Sequence, residues 1–277
     1  MRVLIPCLIL LSAVGAPGFS AVAQEPAPAE GEATEAAARA LADRVLEACG
    51  GSDGWWRTQH VAFDYLGMRT YFWDRYNDLL RIEVPRLQMT LFLERQTGVT
   101  RGYRAGRKLS GTALLQWTYE YEQAFLTDGD WILLPVRLHG DDCRLRALGP
   151  GENGLERLEV VFSKGGKRLA PPRYHLELAA SGLPVAWAHY VDEQAETSLF
   201  TLPLERWRRR GGVLMPTLHG AQHRVRSLGC SEFPDDWWFR IEPMSLDDLA
   251  GLVVPPPPSP VAAGPLGGRL LSSARPG

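Results

Sequence analysis

The chain has few of the signatures that announce a reaction. It holds four cysteines in 277 residues, and their separations exclude a clustered C-x-x-C metal or redox motif. Neither an H-E-x-x-H zinc motif nor a phosphate-binding Walker loop occurs. The formal charge of −2 leaves no general footprint for nucleic acid. The apolar run at residues 3 to 13 is too short, and too interrupted by Pro6, Gly15 and Pro17, to span a bilayer. With Arg2 before it and Ala21-Val22-Ala23 after it, that run reads as an export leader cleaved near Ala23. The "LIPC" around Cys7 resembles a lipidation box, but Pro6 and an apolar stretch lying mostly after the cysteine favour the cleaved leader. The mature chain is therefore expected in the periplasm or outside the cell.

Composition divides what remains. Residues 24–34, "QEPAPAEGEAT", have no periodicity, and 255–277 open on a run of prolines and continue in small residues. Both read as disordered, because neither can bury enough apolar surface to offset ordering. Residues 35–254, about 220 in all, fit one domain.

Within it, 35–48 carries Ala38, Leu41, Val45 and Leu46 on one stripe and stops at Gly50-Gly51, which predicts a helix. The period then changes to two. Val61, Phe63 and Tyr65 alternate with Ala62 and Asp64, Leu87, Met89, Leu91 and Leu93 lie opposite Gln88, Thr90 and Glu94, and Tyr174, Leu176 and Leu178 lie opposite Arg173, His175 and Glu177. Turn pairs such as Asn77-Asp78, Asp128-Gly129 and Gly211-Gly212 separate at least nine such strands, so an antiparallel meander is expected. A second helix is predicted over 112–125 from Leu114, Thr118, Tyr121 and Phe125. In "YFWDRYNDLLRIEV", 71–84, Arg81 and Glu83 fall on the wet side of a hairpin. The class is α+β, mainly antiparallel β. A one-sided sheet this long must curl, which predicts an incomplete, half-open barrel with two or more helices closing an apolar cavity.

The residues able to carry chemistry are scattered. His219 and His223 would stand about 13 Å apart along one strand, too far to share a metal. The loop "LHGDDCRL" places His139 near Cys143, a pairing that a hydrolase could use only with a third group orienting the ring. No catalytic residue, cofactor or metal is assigned. Three cysteines survive processing, and Cys143–Cys230 is the favoured bridge because both lie in loop-like contexts at strand ends; the other pairings remain open. The candidate ligand cleft comprises Leu41, Val45, Trp73, Leu91, Leu115, Trp117, Trp131 and Trp187, with Arg206, Arg208 and Arg209 at a polar rim.

The order of short motifs resembles a group of exported bacterial proteins akin to the outer-membrane lipoprotein carriers and receptors LolA and LolB. The resemblance rests on Trp55 and Thr58 entering the first strand, "FWDRYNDLLRIE", "YRAGRKLSG", "FLTDGDWILLPVRL", "RLEVVF" and "SGLPVAWAHY". It implies a half-barrel around a hydrophobic cavity, with a lipid, an acyl chain or an acylated protein as ligand. The alternative is an envelope protein-interaction or stress-sensor module that uses the sheet and the proline tail. The chain departs from the carriers in its length, its tail and the lack of a match to their helix-closing arginine.

Overall fold

The period-two segments pair with one another in the order in which they occur. A computed structural model describes residues 30–162, 172–220, 223–230, 233, 235–244, 246 and 249. The expected leader and proline tail lie outside those residues. Helix α1 (Glu30–Ala48) begins earlier than its apolar stripe suggested and buries Ala38, Leu41, Ala42, Val45 and, just past its end, Cys49. Gly50 and Gly51 then take φ of 119° and 75°, a conformation that costs glycine little, and turn the chain into α2 (Gly51–Arg57).

Strands β1 (His60–Tyr65), β2 (Arg69–Asp74), β3 (Leu79–Val84), β4 (Met89–Glu94), β5 (Val99–Arg104) and β6 (Arg107–Lys108) form a meander. Helix α3 (Gly111–Leu133) interrupts it. A second meander follows in β7 (Cys143–Pro150), β8 (Glu156–Phe162), β9 (Arg173–Leu178), β10 (Pro184–Tyr190) and β11 (Phe200–Glu205). The short strands β12 (Arg208–Arg210), β13 (Val213–Met215), β14 (Leu218–His219), β15 (His223–Arg224) and β16 (Arg226–Cys230) complete the set.

These make two seven-stranded sheets, β16-β1-β2-β3-β4-β5-β6 and β15-β14-β11-β10-β9-β8-β7, with β12-β13 a separate hairpin. All described pairs are antiparallel. The class is thus the expected α+β, but the described strands form two sheets and no closed barrel. His219 and His223 also differ from expectation: β14 and β15 pair antiparallel with these two residues opposite each other, so spacing along a single strand does not apply.

The inner faces of both sheets join α1 and α3 in one apolar core, including Phe63, Leu91, Leu158, Tyr174 and Trp187. The first sheet is also covered on its other face. Ala62, Phe72 and Phe92 there pack against Phe233, Trp237, Trp238, Met244, Leu246 and Leu249. Arg81 and Glu83, expected on a wet face, therefore lie in the interior. Arg81 is 0 % exposed; it donates to Glu83 at 2.6 and 2.9 Å and to the carbonyls of Trp237, Arg240 and Glu242, each at 2.6 Å. Burial lowers the Arg81 guanidinium from its ordinary value, and the adjacent Glu83 carboxylate opposes that shift.

Candidate functional site

Helix α3 is where the two sheets meet. Phe125 packs on Phe63, Tyr71 and Trp73 of the first sheet, while Trp131 packs on Trp187, Phe200 and His219 of the second. Two buried carboxylates fix this end of the helix. Asp128 accepts from Arg69 at 2.6 and 3.1 Å and from the Tyr71 hydroxyl at 2.5 Å. Asp130 accepts from Arg137 and from the Tyr174 hydroxyl, both at 2.8 Å. Positions two apart on a helix point to different sides, so each carboxylate engages a different sheet. Burial raises the Asp128 carboxyl, with Arg69 and Tyr71 opposing the shift, and burial beside Asp128 pushes the Tyr71 hydroxyl well up.

The other end of α3 is held loosely. Leu115 is 67 % and Tyr119 53 % exposed, and Leu114 and Trp117 are half-buried. Leu114 lies over Gly102 of β5, where a Cβ would come within 3.1 Å of Leu114 and 2.7 Å of Leu91. The Trp117 ring stacks on Tyr121 at 5.9 Å, and the Arg104 guanidinium lies 5.8 Å from it. The Thr118 hydroxyl is buried and has no hydrogen-bond partner among the described residues. One ion pair, Arg95–Glu122 at 3.0 Å, ties the middle of the helix to the end of β4.

Among the described residues, two surface clefts bear on this arrangement. The larger, about 910 Å³, lies beside β7, the outermost strand of the second sheet, and the start of α1. It is lined by Arg39, Arg144, Arg146, Arg173, His139 and Cys143 among others. His139 approaches Asp43 of α1 at 3.4 Å, which engages the ring that a Cys–His pair would need. The smaller cleft, about 520 Å³, lies between β4, β5 and residues 241–243, with Met89, Tyr103, Ile241 and Pro243 on its walls.

The residues expected in the ligand cleft are mostly core. Leu41, Val45, Leu91, Trp131 and Trp187 are buried in the common core, and Trp73 and Trp117 are half-buried against it. Leu115 faces outward. None of the eight lines either cleft. Trp131 is on α3, because the helix runs on through "TDGDWIL" to Leu133, past the turn expected at Asp128-Gly129. Arg206, Arg208 and Arg209 are exposed on and before the β12–β13 hairpin, whose turn docks on α2: the Gly212 N–H donates to Thr58 at 3.2 Å. Cys143 opens β7 opposite Phe162, and the Cys230 backbone pairs with His60 in the other sheet; the Cys230 side chain lies outside the described residues. Burial pushes the Cys49 thiol up to about 12, which leaves it a packing group.

Gly50-Gly51-Ser52-Asp53-Gly54 has the G-x-S-x-G spacing of hydrolase nucleophile elbows. The elbow needs a strand-to-helix turn, whereas Gly50 follows one helix and Gly51 to Gly54 already belong to the next. The residues that sequence reasoning missed are Asp128 and Asp130. Their one signal was charge inside an apolar stretch.

No protein-family model matches the chain, and no curated protein does. Among solved structures, a DUF1329 family protein from Desulfovibrio piger is similar over 74 % of this chain and 97 % of that one. The identity is 13 % and the TM-score 0.39, a likeness too slight to assign a family or an activity.

Proposed function

We propose that the protein is an exported, non-enzymatic binding protein that takes the apolar part of an amphiphile, a lipid or an acyl chain. The chain would lie between the N-terminal half of α3 and the inner face of the first sheet, the two sheets acting as halves of an incomplete barrel. One observation carries this reading: α3 is anchored through Asp128 and Asp130 at its C-terminal end, while its N-terminal half leaves Leu115 and Tyr119 in water. A helix held so can lift at one end without losing its buried ion pairs. Lifting Leu114 and Trp117 uncovers apolar surface continuous with the core, and the Thr118 hydroxyl supplies a buried polar contact. Each CH₂ then buried contributes about 0.8 kcal/mol, so one acyl chain is held with little polar recognition. The leader read in the sequence supports export, and no helix among the described residues is long and apolar enough to cross a membrane.

The test is solvent extraction of protein purified from its native envelope, with mass spectrometry of the extract, and titration with a fluorescent fatty acid. Bound lipid or saturable titration is expected, weakened at least about tenfold in Trp117→Ala, which deletes a large half-buried ring. An empty extract together with no titration sinks the proposal. Free fatty acid and a synthetic acylated peptide, titrated in parallel, distinguish a lipid from an acylated-protein ligand.

A further inference from the structure

We infer that the arginine-lined cleft beside β7 is a binding site for a phosphate-type oxyanion, separate from the apolar site under α3. Its inner layer is assembled in advance. Glu159, 5 % exposed, accepts from Arg146 at 2.8 and 3.1 Å, meets Arg173 at 3.5 Å and contacts His175 at 2.9 Å. Arg173 also donates to the Ala195 carbonyl and lies 4.1 Å from the centre of the Tyr190 ring, so its guanidinium is fixed on several sides. Its Nε–H is out of contact with water and has no acceptor among the described residues. A buried donor without a partner is unfavourable, and this one belongs to a side chain that lines the cleft.

The outer layer is exchangeable. Arg39 meets Glu35 at 3.4 Å and Arg144 meets Glu193 at 2.7 Å, with the arginine side chains 66 % and 64 % exposed. Exposed pairs of this kind are weak, so an oxyanion can displace the glutamates and take both guanidinium forks. The carboxylates of Glu35, Asp141, Glu159 and Glu193 balance the four arginines that line the cleft. Binding therefore proceeds by exchange of partners rather than by a net positive field, which selects a compact oxyanion over a nucleic-acid backbone. Leu138, Leu145 and Val161 add an apolar wall, suiting a phosphate ester with an uncharged body.

The site is tested by calorimetric titration of the whole protein with inorganic pyrophosphate at low salt. Flotation with phosphatidylcholine vesicles, with and without phosphatidylglycerol, is the parallel arm. Pyrophosphate binding that weakens with added salt is expected, and the double variant Arg39→Ala/Arg144→Ala, both exposed positions, should lose at least about tenfold. Binding of pyrophosphate alone assigns the site to a soluble phosphate; flotation lost in the double variant assigns it to a lipid headgroup. Absence of both, or a double variant that binds like the wild type, overturns the inference. Trp117→Ala should leave pyrophosphate binding unchanged, so failure of the apolar site is read separately.

Discussion

On β3, Leu80 and Ile82 face the common core while Arg81 and Glu83 face the opposite way, toward Trp237, Arg240, Glu242 and Met244. Charges at such alternating positions ordinarily meet water; here three backbone carbonyls and the Met244 N–H complete a buried network around them. Removing one member of a buried ion pair leaves the other uncompensated. Arg81→Met should cost about 3–5 kcal/mol in urea denaturation, and proteolysis should then begin within 235–244. The double variant Arg81→Met/Glu83→Met should be less damaging than the single one, because no unpaired charge is left behind. Equal losses in the two would remove the electrostatic explanation.

Glu159 gives a pH dependence. Burial alone would raise its carboxyl, but the bonds from Arg146 and His175 outweigh that and hold it below its ordinary value. His175 is likewise held low, by burial, with Glu159 opposing. Both folded values lie below the unfolded ones, so both contributions are fully present above those unfolded values, about 6.5 for His and 4.3 for Glu. They are lost as pH falls through the folded values. Melting temperature should therefore drop on acidification from neutral pH, and Glu159→Gln should flatten that drop. An unchanged slope in the variant would show that other groups govern it.

Among the elements, α2 and the β12–β13 hairpin approach each other closely through Gly54 and Gly212. A Cβ at Gly212 would sit 2.3 Å from the Gly54 carbonyl, and one at Gly54 equally close to the Gly212 carbonyl. Gly212→Ala should destabilise by about 1–3 kcal/mol through forced separation, and Gly54→Ala by a similar amount. Differential scanning calorimetry checks both; wild-type melting would mean that the hairpin moves at no cost. The extent of α3 was harder to read. Residues 112–125 have helical spacing, but Asp128-Gly129-Asp130 imitates a turn and "WILL" imitates a strand. What makes that stretch helical is the far partner set, Arg69 and Tyr71 on one side and Tyr174 on the other, which no local window contains. Alternation likewise revealed which way Arg81 points, though not that a segment some hundred and fifty residues later covers it. The candidate cleft residues were legible as apolar, and most are core; their role as a pocket was never local information.

At the scale of the molecule, β1 to β6 and β7 to β11 each pair with their neighbours in sequence, so the two meanders were readable from turns alone. The join was not: β16 returns to lie beside β1, with His60 opposite Cys230 and Asp64 opposite Arg226. A chain ending at Val225 should lose both the β16 partner of β1 and the cover over Ala62, Phe72 and Phe92, and self-associate, measured by size-exclusion chromatography, because an unpaired edge and a bared apolar face are both templates for another chain. A monomeric, folded product would show that the edge is protected in some other way. The same pairing sets a timetable. Synthesis delivers β1 first and its neighbour near the end, so for most of that interval the first sheet stays open along one side. Late closure of this kind slows folding, since the contact spans most of the chain.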